Sequence, residues 1–158
     1  MSKMAMMYGN EIKKLDKTGR VAIPALHRAE LGNEFILTIS EKDCLRAYPY
    51  DKWNEFIAII ERNGLEEEGF DSILANARPI TFDAQGRITV PDSLKKQRGI
   101  EIEIAIIGAG SYMEIWNART WQEKDKKASS TDSVGGLMKK VREAKKAEQS
   151  ARSKTNEQ

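Results

Sequence analysis

One cysteine, Cys44, stands in 158 residues, so no intramolecular disulfide can form. A lone thiol fits a reducing compartment. Histidine is equally scarce: His27 is the only one. Neither residue has a partner at metal-ligand spacing, and no nucleophile–base–acid set can be assembled. No catalytic residues, no metal and no cofactor are therefore expected. No stretch approaches the ~18 apolar residues of a membrane helix, and Met1–Met7 lacks the apolar segment of a secretory signal. This reading places the protein in the cytoplasm, away from membranes. Gly108-Ala109-Gly110 is not followed by Gly-Lys-Ser/Thr, so it reads as a turn between strands and not as a phosphate loop. Neither charge dominates: 26 Lys and Arg face 24 Asp and Glu, a net of +2. That total alone announces no polyanionic partner.

What the chain does have is a motif that occurs twice. Asp16-Lys17-Thr18-Gly19-Arg20 runs into Val21-Ala22-Ile23-Pro24, and 67 positions later Asp83-Ala84-Gln85-Gly86-Arg87 runs into Ile88-Thr89-Val90-Pro91. Gly32 and Gly99 keep the same offset. After a one-residue slip, Tyr48 matches Trp116 and Trp53 matches Trp121. A fixed internal period means two copies of one supersecondary unit.

Each copy has local instructions. Leu15 and Val21, like Phe82 and Ile88, are apolar residues flanking a Gly-containing turn, which predicts a hairpin. Asp16 and Asp83 are placed to accept backbone N–H groups as in an Asx-turn, and Gly19 and Gly86 to supply positive φ. Proline suits the first turn of a helix and glycine its end, predicting short helices over residues 25–31 and 92–98. Two strands then follow in each copy: Phe35–Ile39 and Leu45–Tyr48, then the alternating run at Ile102, Ile104 and Ile106, and Met113–Trp116. Between the copies, Trp53, Phe56, Ile57 and Ile60 recur at helical spacing, Asn63-Gly64 breaks the pattern, and a second, more acidic helix is expected over 65–76. One unit of about 45 residues buries too little surface to be stable alone, so the two halves are expected to interlock.

Charge is segregated along the chain. Glu11–Arg28 and Arg78–Arg98 each carry five basic and two acidic residues, whereas Glu41–Asp71 carries four basic and nine acidic. The positive share lies beside the two turns. Asp16 and Asp83 could be drawn as paired catalytic carboxylates, but each has its own arginine nearby, which favours a low pKa and a turn-shaping role. Arg20 and Arg87 could in turn merely neutralise those aspartates, a local pair that contributes little when exposed. That bland reading leaves Lys13, Lys14 and Lys17 in one copy, and Arg78, Lys95 and Lys96 in the other, without a purpose. A stiff turn carrying Arg among lysines suits a DNA groove, where Arg reads guanine and Lys contacts phosphate.

Asp-x-x-Gly-Arg, three strand residues, Pro and a short helix ending in Gly resemble the AbrB-type swapped-hairpin DNA-binding unit. Two such units in one chain, with Met7-Tyr8-Gly9, Cys44-Leu45, Tyr48-Pro49, Trp53 and Glu114-Ile115-Trp116, resemble the MraZ family over about residues 7–122. The resemblance implies an α+β, mainly β fold: a tandem pseudo-repeat, AbrB-like swapped-hairpin barrel with short helices. It also implies a transcriptional regulator tied to the division and cell wall gene cluster. Such a protein would be nucleoid-associated and assembled as a ring-like homo-oligomer on direct repeats in double-stranded promoter DNA. By position, the DNA-facing residues would be Asp16, Lys17, Arg20 and Arg28, then Asp83 and Arg87. Lys95 stands with Lys96 where the family often has an arginine, and would contact phosphate more than bases.

The expected organisation is a first repeat with its connecting helix over 1–67, a second repeat over 68–122, and a basic tail over 123–158. The tail has no aromatic residue, a composition that favours solvation and partial disorder, with a marginal helix over 134–151. Two other functions fit parts of the pattern. One is an antitoxin-like module whose tail wraps a partner protein. The other is a structural ring that uses Trp53, Trp116 and Trp121 as contacts and for which Arg20 and Arg87 are dispensable.

Overall fold

The structure, a computed structural model, describes residues 6–156. Met1–Ala5, part of the stretch read as lacking a secretory signal, and Glu157 and Gln158 of the basic tail lie outside the described residues. The chain divides into two compact units, Met1–Trp121 and Gln122–Gln158.

In the first unit the order is β1 (Asn10–Lys14), β2 (Arg20–Ala22), α1 (Ala25–Leu31), β3 (Glu34–Ile39), β4 (Cys44–Pro49), α2 (Tyr50–Arg62), α3 (Glu68–Ala75), β5 (Arg78–Thr81), β6 (Arg87–Thr89), α4 (Asp92–Gln97), β7 (Glu103–Gly108) and β8 (Met113–Asn117). The short helices thus lie between the repeated Pro and Gly, and the break between α2 and α3 falls at Asn63-Gly64.

Strand pairing departs from the local hairpin expectation. β1 and β2 flank the first turn but do not pair with each other. β1 pairs antiparallel with β7 of the second repeat, and β5 of the second repeat pairs with β3 of the first. β2 pairs only with β6. The result is an open six-stranded sheet, β1-β7-β8-β4-β3-β5, beside a two-stranded ribbon, β2-β6. The halves are swapped, as the resemblance implied, but they do not close a barrel. The ribbon strands are three residues long and are followed by Ile23-Pro24 and Val90-Pro91. Proline has no N–H to extend a ladder, so each ribbon strand stops short of it.

The sheet is pseudo-symmetric about its central β8-β4 pair, where Leu45 faces Ile115 and Arg46 faces Glu114. Its inner face supplies Leu37, Leu45, Ile104, Ile106, Met113 and Ile115 to one core, joined by Val21 and Ile88 from the ribbon and Leu31 and Leu94 from the short helices. Each fully buried aliphatic side chain contributes about 1.5–3 kcal/mol, and both repeats contribute to the same core. The outer face carries Cys44, Ala105 and Trp116, with Ile107 and Trp121 packed against them. Beside them Tyr48 rests against Trp53, Phe56 and Tyr112. Cys44 is fully buried in its strand and hydrogen-bonded with Ser40, and burial pushes its thiol up to about 12.

Beyond Asn117 come α5 (Ala118–Ala128) and α6 (Thr131–Asn156). The helix expected over 134–151 lies within α6. No residue of α6 is buried, and Val134, Leu137, Met138 and Val141 are all exposed. Among the described residues no helix is long and apolar enough to cross a membrane.

Candidate nucleic-acid interface

The two Asp-to-Arg turns have the same hydrogen-bond plan. Asp16 N–H donates to the Arg20 carbonyl at 2.9 Å, and Gly19 N–H to the Asp16 carbonyl at 3.0 Å. Asp83 N–H and Gly86 N–H do the same with the Arg87 and Asp83 carbonyls, at 2.9 and 3.0 Å. In each, one carboxylate oxygen collects backbone donors. Asp16 Oδ1 accepts from the N–H groups of Thr18 at 2.9 Å and Arg20 at 2.8 Å, and Asp83 Oδ1 from Gln85 and Arg87, both at 2.9 Å. Gly19 and Gly86 close the turns at φ +78° and +74°. The sequence builds these turns because Asp supplies an acceptor at the right reach and Gly takes the backbone angle that other residues resist.

The second oxygen of each aspartate holds the guanidinium. Arg20 Nε donates to Asp16 Oδ2 at 2.9 Å and Arg87 Nε to Asp83 Oδ2 at 2.8 Å. Arginine offers five donors in a planar fork. Using Nε for the aspartate leaves the two terminal nitrogens, and neither makes an intramolecular hydrogen bond among the described residues. Backbone N–H donation is the main reason the carboxyls titrate low: the Arg20 N–H, ahead of the Thr18 and Arg20 side chains, helps to hold Asp16 at about 2, and the Arg87 N–H leads the lowering of Asp83. Both aspartates therefore remain charged at every physiological pH.

The ribbon brings these two arginines together. Its register pairs Arg20 with Thr89, Val21 with Ile88 and Ala22 with Arg87. Side chains alternate across a strand. Val21 and Ile88 turn inward and are buried, so Arg20, Ala22, Arg87 and Thr89 share the opposite face. Residues 67 apart in sequence become diagonal neighbours, with Cα atoms about 7–8 Å apart by sheet geometry.

Each turn is then overlaid by a cation from the other repeat. Arg28 of α1 donates through Nε to the Ile23 carbonyl at 3.1 Å, and its Nη1 stands 2.7 Å from where a Cβ on Gly86 would be. Lys95 of α4, the residue 67 positions later, places Nζ 3.3 Å from the same point on Gly19 and pairs with Asp92 at 2.9 Å. Backbone bonds lock the crossing: Ile23 N–H donates to the Gly86 carbonyl at 3.1 Å and Val90 N–H to the Gly19 carbonyl at 2.9 Å.

All seven residues expected at the interface, Asp16, Lys17, Arg20, Arg28, Asp83, Arg87 and Lys95, thus lie in or against the two turns. Other basic residues do not. Arg78 donates to the Ala75 and Ala77 carbonyls and Arg98 to the Ser40 carbonyl. Their charges support the body of the fold, so sequence proximity overstated the positive share beside the second turn. One further exposed side chain stands at the second turn. Gln85 is exposed at the tip of the second turn, and its side-chain amide makes no hydrogen bond among the described residues. A single glutamine carries no pattern that would have flagged it. Among the described residues no group of His, Cys, Asp and Glu could hold a metal ion.

Comparison with known proteins follows the same repeat. The family model described as "MraZ protein, putative antitoxin-like" matches twice, over residues 6–69 and 73–136. The chain is 32% identical over 121 residues to the transcriptional regulator MraZ of Acetivibrio thermocellus, covering 74% of this chain and 85% of that protein. To the protein of that name from Caldanaerobacter subterraneus subsp. tengcongensis it is 35% identical over 125 residues, covering 77% and 87%. To the one from Clostridium beijerinckii it is 33% identical over 137 residues, covering 84% and 96%.

Proposed function

The chain belongs to the MraZ family, and from that premise we propose that this transcriptional regulator reads promoter DNA with the β2-β6 ribbon. The observation that carries the reading is the pair of arginines on one exposed ribbon face, each clamped by its own aspartate with its fork free. A two-stranded antiparallel ribbon fits the major groove, which is about 12 Å wide. A guanidinium fixed through Nε presents its two outer nitrogens in the plane needed for guanine O6 and N7. The aspartate has already restricted the rotamers that binding would otherwise have to freeze. Lys17 and Lys95 are placed to contact phosphates on either side, adding affinity without sequence information.

One ribbon makes few base contacts. We infer that several copies act together as a ring on short direct repeats, so that weak contacts add through effective concentration. Half-buried Trp53, Phe56 and Phe70 and exposed Ile59, Leu65 and Leu74 on α2, α3 and their connection supply apolar surface suited to self-association. The target belongs to the division and cell wall genes, with the protein's own upstream region as the first site to test.

The test is gel-shift binding of the full chain, and of Arg20→Ala, to that upstream region and to a scrambled duplex at two salt concentrations. Specific binding that survives higher salt, and loss of discrimination by about 1–3 kcal/mol per arginine contact in the variant, support the reading. Unchanged affinity in a folded Arg20→Ala protein would sink it.

A further inference from the structure

Resting on the reading that several copies act together, we propose that α6 of each copy docks on the α2–α3 layer of a neighbouring copy. The family match ends at residue 136. Leu137, Met138, Val141 and all seven cations of α6 lie beyond it.

Helix α6 lacks what normally holds a helix. Helical stability comes mostly from packing an apolar face, yet none of its 26 residues is buried. Gly135 and Gly136 weaken its first turns further. An apolar stripe is nevertheless there to be packed. Val134, Leu137, Met138 and Val141 recur at i, i+3, i+4 and i+7, and all four are exposed. At about 100° per residue, Lys145 and Arg152 continue the same stripe towards the C-terminus. One face is thus apolar at its start and cationic further on. The whole helix carries seven basic and three acidic residues.

The α2–α3 layer has the complementary defect. No residue of either helix is buried. Trp53, Phe56 and Phe70 are covered only in part, and Ile59, Leu65 and Leu74 are exposed. Residues 50–76 carry seven acidic and two basic side chains. Glu61, Glu66, Glu67, Glu68 and Asp71 form no ion pair among the described residues, and neither does any cation of α6.

Charge decides which surface covers which. Two α6 helices face to face would set cation against cation, and two α2–α3 layers carboxylate against carboxylate. Pairing one with the other matches the charges and removes both apolar surfaces from water. Such a contact uses different surfaces on the two chains, so each copy gives one helix and receives another. That heterologous pattern is the kind that builds rings. At about 39 Å, α6 is long enough to reach from one copy along the next.

Carbodiimide cross-linking of the full chain tests this, with equal parts of isotope-labelled and unlabelled protein refolded together from urea. Lysines of α6 should join Glu61, Glu66, Glu67 or Glu68 in linked peptides that carry one label of each kind. Leu137→Asp with Val141→Asp should weaken self-association by roughly 10- to 100-fold, with thermal unfolding of the sheet unchanged. Glu66→Lys with Glu67→Lys should also weaken it, and adding Lys145→Glu and Lys146→Glu to that chain should restore it. Linked peptides with matched labels only would put α6 on its own chain and overturn the inference. An assembled protein with no link from α6 to α2–α3 would overturn it too, leaving the assembly reading intact. A full chain that sediments as a monomer at every concentration would remove both.

Discussion

Arg28 of the first repeat occupies the space that a side chain on Gly86 of the second would need: Arg28 Nη1 is 2.7 Å, and Cζ 3.0 Å, from the Cβ position of an alanine there. Gly86 also has φ +74°, where an L-residue is strained by roughly 1–2 kcal/mol. Gly86→Ala should therefore lower the melting temperature by a few degrees and, separately, push Arg28 off the turn. Gly19→Ala meets the same strain at φ +78°, but its nearest neighbours, Lys95 Nζ and the Val90 carbonyl, are 3.3 Å away. Thermal unfolding should rank the two variants alike, while sequence discrimination should fall further in Gly86→Ala. Equal loss of discrimination in both would argue that Arg28 has no special place in readout.

Asp16 separates turn-building from ion pairing. Its carboxyl falls from an ordinary 3.8 to about 2, and the largest cause is the Arg20 backbone N–H. Arg20→Ala keeps that N–H. A carbon-detected NMR titration of Arg20→Ala should thus find Asp16 still well below 3.8. A return to the ordinary value would mean that the ion pair, and not the turn, holds the carboxylate. Because the folded pKa lies below the unfolded one, the turn's contribution to stability is complete above pH 3.8 and lost as pH falls through about 2. Promoter binding at pH 5–8 should be insensitive to this group.

Asp16→Asn and Asp83→Asn keep an acceptor for the backbone N–H groups but exchange the second oxygen for an NH₂, which cannot accept from an arginine Nε. Both variants should fold, bind DNA at low salt and lose sequence discrimination. Measured preference for the promoter over a scrambled duplex should approach unity, and a variant that retains wild-type preference would show that the aspartate clamp is unnecessary.

The short helices and the turns were legible because their determinants are local: Pro24 and Gly32 bracket α1, and Asp16 and Gly19 sit three residues apart. Pairing was not. Leu15 and Val21 flank a glycine turn as they would in a simple hairpin, and nothing within ten residues tells β1 to seek Ile104–Ile107 in the other repeat. For the site, Arg20 and Arg87 could be found by their repeated spacing. Arg28 against Gly86 could not, because that contact exists only once the halves are swapped. Arg78 and Arg98 misled for the converse reason: near the turn in sequence, they bond carbonyls of the body.

His27 gives the fold a pH dependence of known sign. It is buried in α1, its Nδ1 has no hydrogen-bond partner among the described residues, and burial lowers its pKa below 6.5, with the Glu11 carboxylate opposing the shift. The unfolded chain takes up a proton that the folded chain resists. Stability is therefore full above about pH 6.5 and falls as the pH drops below it, at no more than about 1.4 kcal/mol per unit. Urea unfolding at pH 5, 6, 7 and 8 should show this slope in the natural protein and a flatter one in His27→Leu. Equal slopes would place the dependence elsewhere.

Arg46 and Glu114 occupy equivalent positions in the two repeats once the one-residue slip is counted, and they face each other in the central strand pair. They sit on the pseudo-two-fold axis, where a strictly repeated residue would face its own kind. Covalent fusion of the halves allows the two to differ, and here they carry opposite charge at 2.9 Å, with Glu41 closing a bidentate pair on the other side of Arg46 and the Tyr112 ring beneath it. Both residues of the axial pair are buried. Removing one partner of a buried pair strands the other and costs about 3–5 kcal/mol, whereas replacing both with apolar residues of similar volume is often neutral. Glu114→Leu alone leaves Arg46 its Glu41 pair and should therefore lose only part of that amount in urea unfolding, and Arg46→Met with Glu114→Leu should recover it. Glu114→Arg, which sets two guanidinium groups across the axis, should be the least stable of the series. If the double apolar variant proves as unstable as Glu114→Leu, the axial pair contributes net stability of its own, beyond avoiding a stranded charge.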